Sequence, residues 1–371
     1  MEEKFITNAE DVEGESATFL EASRRSQAIW DDLPKHPSKY RVLTGERPTG
    51  PLHIGHLFGT LANRVRIQEL GATTFIVIAD YQVLTDRDSA ENVGANVTEV
   101  ILDYLASGLD PENGRTFFFS HSHIPELNQL LLPFMNLVTT AELDRNPTVK
   151  EEIKAAGLKQ VNALMYTYPI HQAADILFCK GNVVPVGRDQ LPHLELTRKI
   201  ARRFNDRFAA GAPVFPIPDA LLSDIPLVLG TDGQKMSKSR GNTIMLKMTA
   251  EETAKVIKGA KTDPDRNIAY DPQNRPEVAN LLRLISICTG EAPEAIAAAI
   301  GDGGGGKLKA ALTEALNAHL APMRERRARY AQDPGYVKDV LRRGIARARE
   351  EGVATLQQVR RAMNMDHGLD G

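Results

Sequence analysis

Residues 40–80 read YRVLTGERPTGPLHIGHLFGTLANRVRIQELGATTFIVIAD, and the fold class follows from how that stretch divides. YRVLTG, residues 40–45, is a short β-branched run. HLFGTLANRVRIQELG, residues 56–71, has helical spacing and stops at Gly71, and TTFIVIAD, residues 73–80, is a second strand. Strand, helix and strand in that order imply a parallel pair with a right-handed crossover. The first strand runs into the helix through TGERPTGP, a loop of small and turn-forming residues. His53 and His56, three apart, share one side of the helix's first turn and face whatever the loop encloses. Helix amides there favour a small anion.

The alternation continues outward. SAENVGANVTEVILDYLASG, residues 89–108, reads as a helix and RTFFFSH, residues 115–121, as a third strand. A mostly helical insertion over about 126–185 follows, and NVVPVGRDQ, residues 182–190, supplies another strand and its exit loop. The expectation is an α/β protein with a doubly wound parallel, Rossmann-like sheet over 38–248. Ligands in such sheets bind at the carboxyl ends of the strands, where the TGERPTG loop, Asp80, His121 and His123 lie. Residues 249–371 read as helices joined by Gly- or Pro-containing turns, an all-helical C-terminal domain. Residues 1–37 are an acidic extension with a short helix near Thr18 to Trp30 and a linker at Pro34 to Pro37, either a loosely attached terminus or a docking arm for a partner protein.

Composition removes several classes of function. A net charge of -3 argues against coating nucleic acid by bulk charge, so any such contact must be local; the arginines of MRERRARY and LRRGIARARE, within 324–361, are the candidate surface. Cys179 and Cys288 sit far apart in apolar runs, which fits a reducing cytoplasm and no thiolate metal site. An acidic start without an apolar stretch argues against a signal peptide, and no run of about 18 apolar residues suggests a membrane span.

Three further motifs call for weighing. GDGGGGK, residues 301–307, spells most of a phosphate loop, yet Leu308 stands where a hydroxyl should bind magnesium and the preceding EAIAAAI is helical, so a flexible helix–helix connection is expected. His121 and His123 in SHSHIP, on alternate strand residues, should point the same way and line the cleft; with no third ligand in view no metal is expected. GQKMSKSRGN is different: Lys235 and Lys238 ride on a segment bracketed by Gly233 and Gly241, and two ammonium groups on a closing loop suit a phosphate-rich ligand.

HIGH at 53–56 and KMSKS at 235–239, in that order and in an α/β context, resemble the two signatures of class I aminoacyl-tRNA synthetases. TYPIHQAADIL, residues 167–177, and VVPVGRDQLPHLELTRKIARRFN, residues 183–205, are similar to bacterial tryptophanyl-tRNA synthetases, and the resemblance covers nearly everything after residue 40. It implies a tryptophan--tRNA ligase that uses ATP with Mg2+, forms tryptophanyl-adenylate and acylates tRNA(Trp), as a homodimer. It assigns catalysis to His53, His56, Lys235 and Lys238, and places Arg47, Pro48, Thr49, Gly55, His56, Gly187, Arg188, Asp189, Lys235, Met236, Ser237, Lys238 and Ser239 at ATP. Tyr168, Gln172, Asp175 and Gln190 fall to the amino acid, with Asp175 accepting the indole N–H, and the C-terminal helices, with Arg342 and Arg343, to tRNA. Tyr168, Gln172 and Asp175 are at i, i+4 and i+7, hence on one helix face. Many bacterial tryptophan enzymes read TIGN where this chain has HIGH, and DQH where it has Asp80, Tyr81 and Gln82, which points to a branch that keeps HIGH. Tyrosine specificity, or a paralogue serving as a regulatory partner through residues 1–37, are the competing readings. The span between signatures leaves no room for an editing domain.

Overall fold

A computed structural model describes residues 17–86, 89–156, 161–209, 211–222 and 228–369. Its centre is a parallel sheet of β1 (Arg41–Glu46), β2 (Thr73–Ile78), β3 (Thr116–Ser120), β4 (Val183–Val186) and β5 (Asp219–Leu222) in the order β3-β2-β1-β4-β5. β1 runs in register with β2 from Arg41 opposite Thr73 to Glu46 opposite Ile78, and meets β4 at Val42 opposite Val183. The chain winds outward from β1 to β3 and then crosses to β4, so direction reverses between β1 and β4, the usual place for a ligand crevice.

The sheet is buried on both faces, which is why β2 reads as a nearly unbroken apolar run. Ile76, Ile78 and Phe118 face one core layer, while Phe75, Val77 and Phe119 face the other. The expected first helix, α2, is one helical run made of Ile54–His56, a π turn over Leu57–Leu61 and Ala62–Glu69. α3 (Val93–Ser107) packs on the same side, α4 (Ala163–Leu177) and α5 (Leu191–Phe208) on the other. Short helices between Pro125 and Ala156 form the insertion. Ala250–Lys258, α6 (Pro276–Thr289), Pro293–Ile300 and α7 (Gly304–Ala331) form the helical region, which continues the core of α2 and α3 through Leu312, Leu316 and Leu320.

Three expectations need correction. The C-terminal helices do not all stand apart from the sheet: α8 (Pro334–Ala362) returns to lie against β3, where a Cβ on Gly344 would fall 1.9 Å from the Phe118 carbonyl oxygen. Residues 17–33 are not a loose arm, because α1 (Ala17–Asp32) covers β5, burying Trp30 and Leu33; residues 1–16 lie outside the described part. In the run 301–307 only Gly301–Gly303 connects helices, and α7 begins within the glycines, with Lys307 Nζ 3.3 Å from the Ala299 carbonyl at the end of the preceding helix.

Candidate active site

A cavity of about 300 Å3 opens at the carboxyl ends of β1, β2 and β4. Gly45, Glu46 and Arg47 border it from the end of β1, Ala79 and Gln82 from the segment after β2, and Gly187 and Gln190 from the loop after β4. One face of α4 closes it, with Tyr168, Gln172 and Asp175 all lining it, as their spacing requires.

The HIGH segment lies beside this cavity, and its local bonding fixes the protons. His53 Nδ1 accepts from Gly55 N at 3.2 Å, and His56 Nδ1 accepts from His53 N at 3.2 Å. A ring nitrogen that accepts carries no proton, so both neutral rings hold theirs on Nε2. Burial holds His53 down to about 3, with His56 and Lys238 adding to the effect. Burial likewise holds His56 down to about 4, Lys238 and Arg64 adding while Glu46 opposes. The two imidazoles are therefore neutral donors at physiological pH.

Beneath His56 lies an ion pair that sequence reading did not single out. Arg64 Nη2 is 2.8 Å from Glu46 Oε1, and the Tyr104 hydroxyl donates to the other carboxylate oxygen. Burial alone would raise the Glu46 carboxyl, but the Arg64 guanidinium outweighs it and holds it below the usual range. Both groups also border the cavity, so its floor is charged yet internally compensated.

The lysine loop reaches the HIGH segment from 180 residues away. Lys238 Nζ donates to the Gly50 carbonyl at 2.8 Å and stands 3.4 Å from Thr49 Oγ1. Met236 is buried against Gly55, where a Cβ would lie 3.2 Å from Met236 Sδ and 3.0 Å from the His53 ring. Behind the loop, Ile54 N donates to Ile244 O at 3.0 Å and Leu246 N to Leu52 O at 2.9 Å, so the strand-like exit of KMSKS is stitched to HIGH. Lys235 Nζ is 3.6 Å from Asp189 Oδ2, bridging to the GRDQ turn; Ser237 N bonds Asn242 Oδ1, and Ser239 sits in the short turn Lys238–Arg240. Arg188 stacks on the Phe19 ring at 4.3 Å, so α1 touches this turn. Pro48 and Thr49 lie in the loop over Lys238, and Arg47 bonds Thr85 Oγ1 and Asp86.

At the inner end, Asp175 is buried and His121 Nε2 is 2.9 Å from its Oδ1. His121 and His123 do not point the same way, since the strand ends at Ser120 and residues His121–His123 form a 3-10 turn. His121 is wholly buried, whereas His123 Nδ1 bonds Ser120 and Ser122 hydroxyls. The sequence also gave no sign of the polar shell behind Tyr168, whose hydroxyl meets His193 Nε2 at 2.9 Å and interacts with Glu152, another lining residue. Burial pushes Glu152 up and holds His193 down to about 4. Arg342 and Arg343 are elsewhere, on α8, paired with Asp339 and Glu112.

A doubly wound sheet with these two signatures joined at its switch point defines a class I aminoacyl-tRNA synthetase. Residues 35–321 match the family model described as tRNA synthetases class I (W and Y), and the chain belongs to that family. It is 41% identical over 345 residues to a tryptophan--tRNA ligase of Treponema pallidum, covering 88% of this chain and 97% of that one, and 40% identical over 334 residues to that of Thermotoga maritima, covering 88% and 99%. Among solved structures it resembles tryptophanyl-tRNA synthetase from Campylobacter jejuni complexed with ADP and tryptophan, with a TM-score of 0.76 and 29% identity, covering 87% of this chain and 99% of that one.

Proposed function

We propose that the chain activates L-tryptophan with ATP and passes the tryptophanyl group to tRNA(Trp). The observation that carries this reading is the junction of the two signatures, with Lys238 on the Gly50 carbonyl and Met236 against Gly55, beside a cavity that ends at Asp175. The amino-acid carboxylate attacks the α-phosphorus of ATP; the bond to the bridging oxygen breaks, and pyrophosphate leaves with the electron pair. Charge grows on the transferring and departing phosphates, so a site that stabilises it there accelerates the step. His53 and His56 donate Nε2–H to phosphate oxygens, and Lys235 and Lys238 neutralise the pyrophosphate. Lys238, resting on the Gly50 carbonyl, is exchanged onto phosphate when the triphosphate enters.

Gly187, Arg188 and Asp189 take the adenosine, Asp189 accepting from ribose hydroxyls. Tyr168, Gln172 and Gln190 hold the substrate ammonium, with Glu152 adding a carboxylate, and Asp175 accepts the indole N–H. A terminal ribose hydroxyl of tRNA then attacks the adenylate carbonyl and releases AMP. Among the described residues the one group of three or more His, Cys, Asp or Glu with converging ligand atoms is His121, His171 and Asp175, at the amino-acid end of the pocket, and Glu46 is paired with Arg64. The residues thus do not form a Mg2+ cage, and the ion travels with the triphosphate, held by its oxygens and water. A homodimer working in the cytoplasm completes the reading, and any partner contact through 1–37 falls to residues beyond the packed helix α1.

Exchange of labelled pyrophosphate into ATP tests it. Tryptophan should drive exchange and tyrosine should not, and Lys238→Ala should lower the turnover at least tenfold, an estimate for one lost transition-state contact. Exchange driven by tyrosine would overturn the specificity, and exchange without acylation of any tRNA would favour a regulatory paralogue.

A further inference from the structure

Among the described residues, His121 is the group placed to hold the carboxylate at the inner end of the pocket. It is 0% exposed, its Nε2 is 2.9 Å from Asp175 Oδ1, and its ring stands edge-on to His171 at 4.5 Å between centroids. His171 cannot serve Asp175. Asn128 Nδ2 donates to the carbonyls of His121 and Ile124, at 3.0 and 3.1 Å, which turns Asn128 Oδ1 toward His171 Nε2 at 2.8 Å. An amide oxygen only accepts, so His171 keeps its proton on Nε2, and burial keeps the ring neutral. His171 Nδ1 is then a bare lone pair facing inward, without a hydrogen-bond partner. Asp175 Oδ1 and both His121 ring nitrogens are likewise buried without an aligned hydrogen bond, although nitrogen and oxygen are at bonding distance. The same three side chains offer ligand atoms within 4.8 Å of one another, but His121 Nε2 and Asp175 Oδ1 already stand at 2.9 Å as donor and acceptor.

We propose that His121 is a positioning residue for tryptophan recognition: its Nε2–H donates to Oδ1 of Asp175 and fixes the carboxylate plane, so that the other oxygen meets the indole N–H. The proposal rests on the reading of Asp175 as indole acceptor. A buried carboxylate that is free to turn loses the directional part of its preference for a ring N–H, while an anchored one keeps it. His121 thereby sets how strongly the enzyme prefers tryptophan to an aromatic amino acid of equal size without a ring donor.

The test is a matched pair, His121→Gln and His121→Met, beside Asp175→Asn, in pyrophosphate exchange with tryptophan and with β-(3-benzothienyl)alanine, whose ring sulfur replaces N–H. Gln and Met have nearly the same length, and only Gln donates near the Nε2 position. The tryptophan-to-analogue ratio of kcat/KM should fall about tenfold or more in His121→Met, mostly through KM for tryptophan, and recover most of that in His121→Gln, on the scale of one lost hydrogen bond to a charged group. A ratio unchanged in Asp175→Asn would sink the assignment of Asp175 itself. A ratio that falls in Asp175→Asn but stays at the wild-type value in His121→Met would overturn the role of His121 alone, as would equal falls in Met and Gln. The wild-type enzyme gives a reading that no folding defect can blur: 15N-histidine spectra with tryptophan bound should show a His121 ring protonated on Nε2, and a proton on Nδ1 only would overturn the proposal.

Discussion

Two neutral histidines beside Lys238 are a consequence of burial, and they carry a stability cost that can be measured. The His53 and His56 rings are held down to about 3 and about 4, burial being the first cause in each case, whereas in an unfolded chain they titrate near 6.5. Between those values the unfolded chain takes up protons that the folded one refuses, so stability falls as pH is lowered from 6.5 towards 4 and is indifferent to these groups above 7. His193, held down to about 4, adds to the slope with the same sign. Urea midpoints measured from pH 7 to 4.5 should therefore decline. The double variant His53→Asn with His56→Asn should flatten the decline by up to about 1.4 kcal/mol per pH unit for each ring. A slope unchanged by the replacement would mean that the rings are charged in the folded enzyme. Sequence could name these histidines, since three-residue spacing at a helix start brings them together, but not their protonation, which is set first by burial and then by Lys238 near both rings and by Glu46 and Arg64 near His56. Nor could it name Glu152 or His193, because no local spacing marks side chains that converge on Tyr168 from separate helices.

Secondary structure followed the apolar periods closely where an element is long and buried, and less well where tertiary contact decides. β1, β2 and β3 were legible as runs, whereas Asp219–Leu222 is four residues and becomes a strand by pairing with β4. The π turn in α2 was invisible to a 3.6-residue period, and His121–His123 turns where alternation suggested strand. That the last helix returns to the sheet is written in one residue. Gly344 brings α8 so near that a Cβ would lie 1.9 Å from Phe118 O and 2.8 Å from Phe118 N, both backbone atoms that cannot step aside. Gly344→Ala should cost about 1–3 kcal/mol, the range for overpacking. Gly306, within α7 and with nothing within 4 Å of its missing Cβ, should respond oppositely, Gly306→Ala gaining about 0.5–1 kcal/mol from helix propensity. Chemical denaturation of the two variants side by side checks both signs, and a neutral Gly344→Ala would show that α8 can lift from β3.

At the scale of the molecule, α1 and α8 cover the sheet's two edges, and the arginines divide into those that tie buried elements together and those paired only at the surface. On β5, Ser26 Oγ accepts from Leu222 N at 2.8 Å and Arg25 Nε lies 3.0 Å from Asp219 Oδ1; on the other side α8 lies along β3 and anchors β1 through Arg41 and Glu351 at 2.8 Å. Edges so covered offer no template for pairing with another chain. Arg327 on α7 belongs to the structural group: it bonds Asp103 Oδ1 at 2.8 Å, and Asp103 Oδ2 accepts from Leu52 N at 2.7 Å, one residue before His53. Burial raises the Asp103 carboxyl and Arg327 opposes that, so Arg327→Gln would strip a buried carboxylate of its counter-charge, at about 3 kcal/mol or more, and loosen the HIGH backbone with it. Arg342 and Arg343 differ, since their partners Asp339 and Glu112 are exposed and such surface pairs contribute about 0–1 kcal/mol. They can be traded for phosphate at little cost. Arg342→Ala with Arg343→Ala should leave the urea midpoint and tryptophan-dependent exchange near wild type, raise KM for tRNA several-fold, and lower the salt dependence of tRNA binding by up to about two phosphate contacts. Arg327→Gln should do the reverse, lowering exchange turnover and stability together. Equal loss of exchange and acylation in the Arg342/Arg343 variant would remove this face of α8 from tRNA recognition and place both arginines with Arg327 among the ties of the fold.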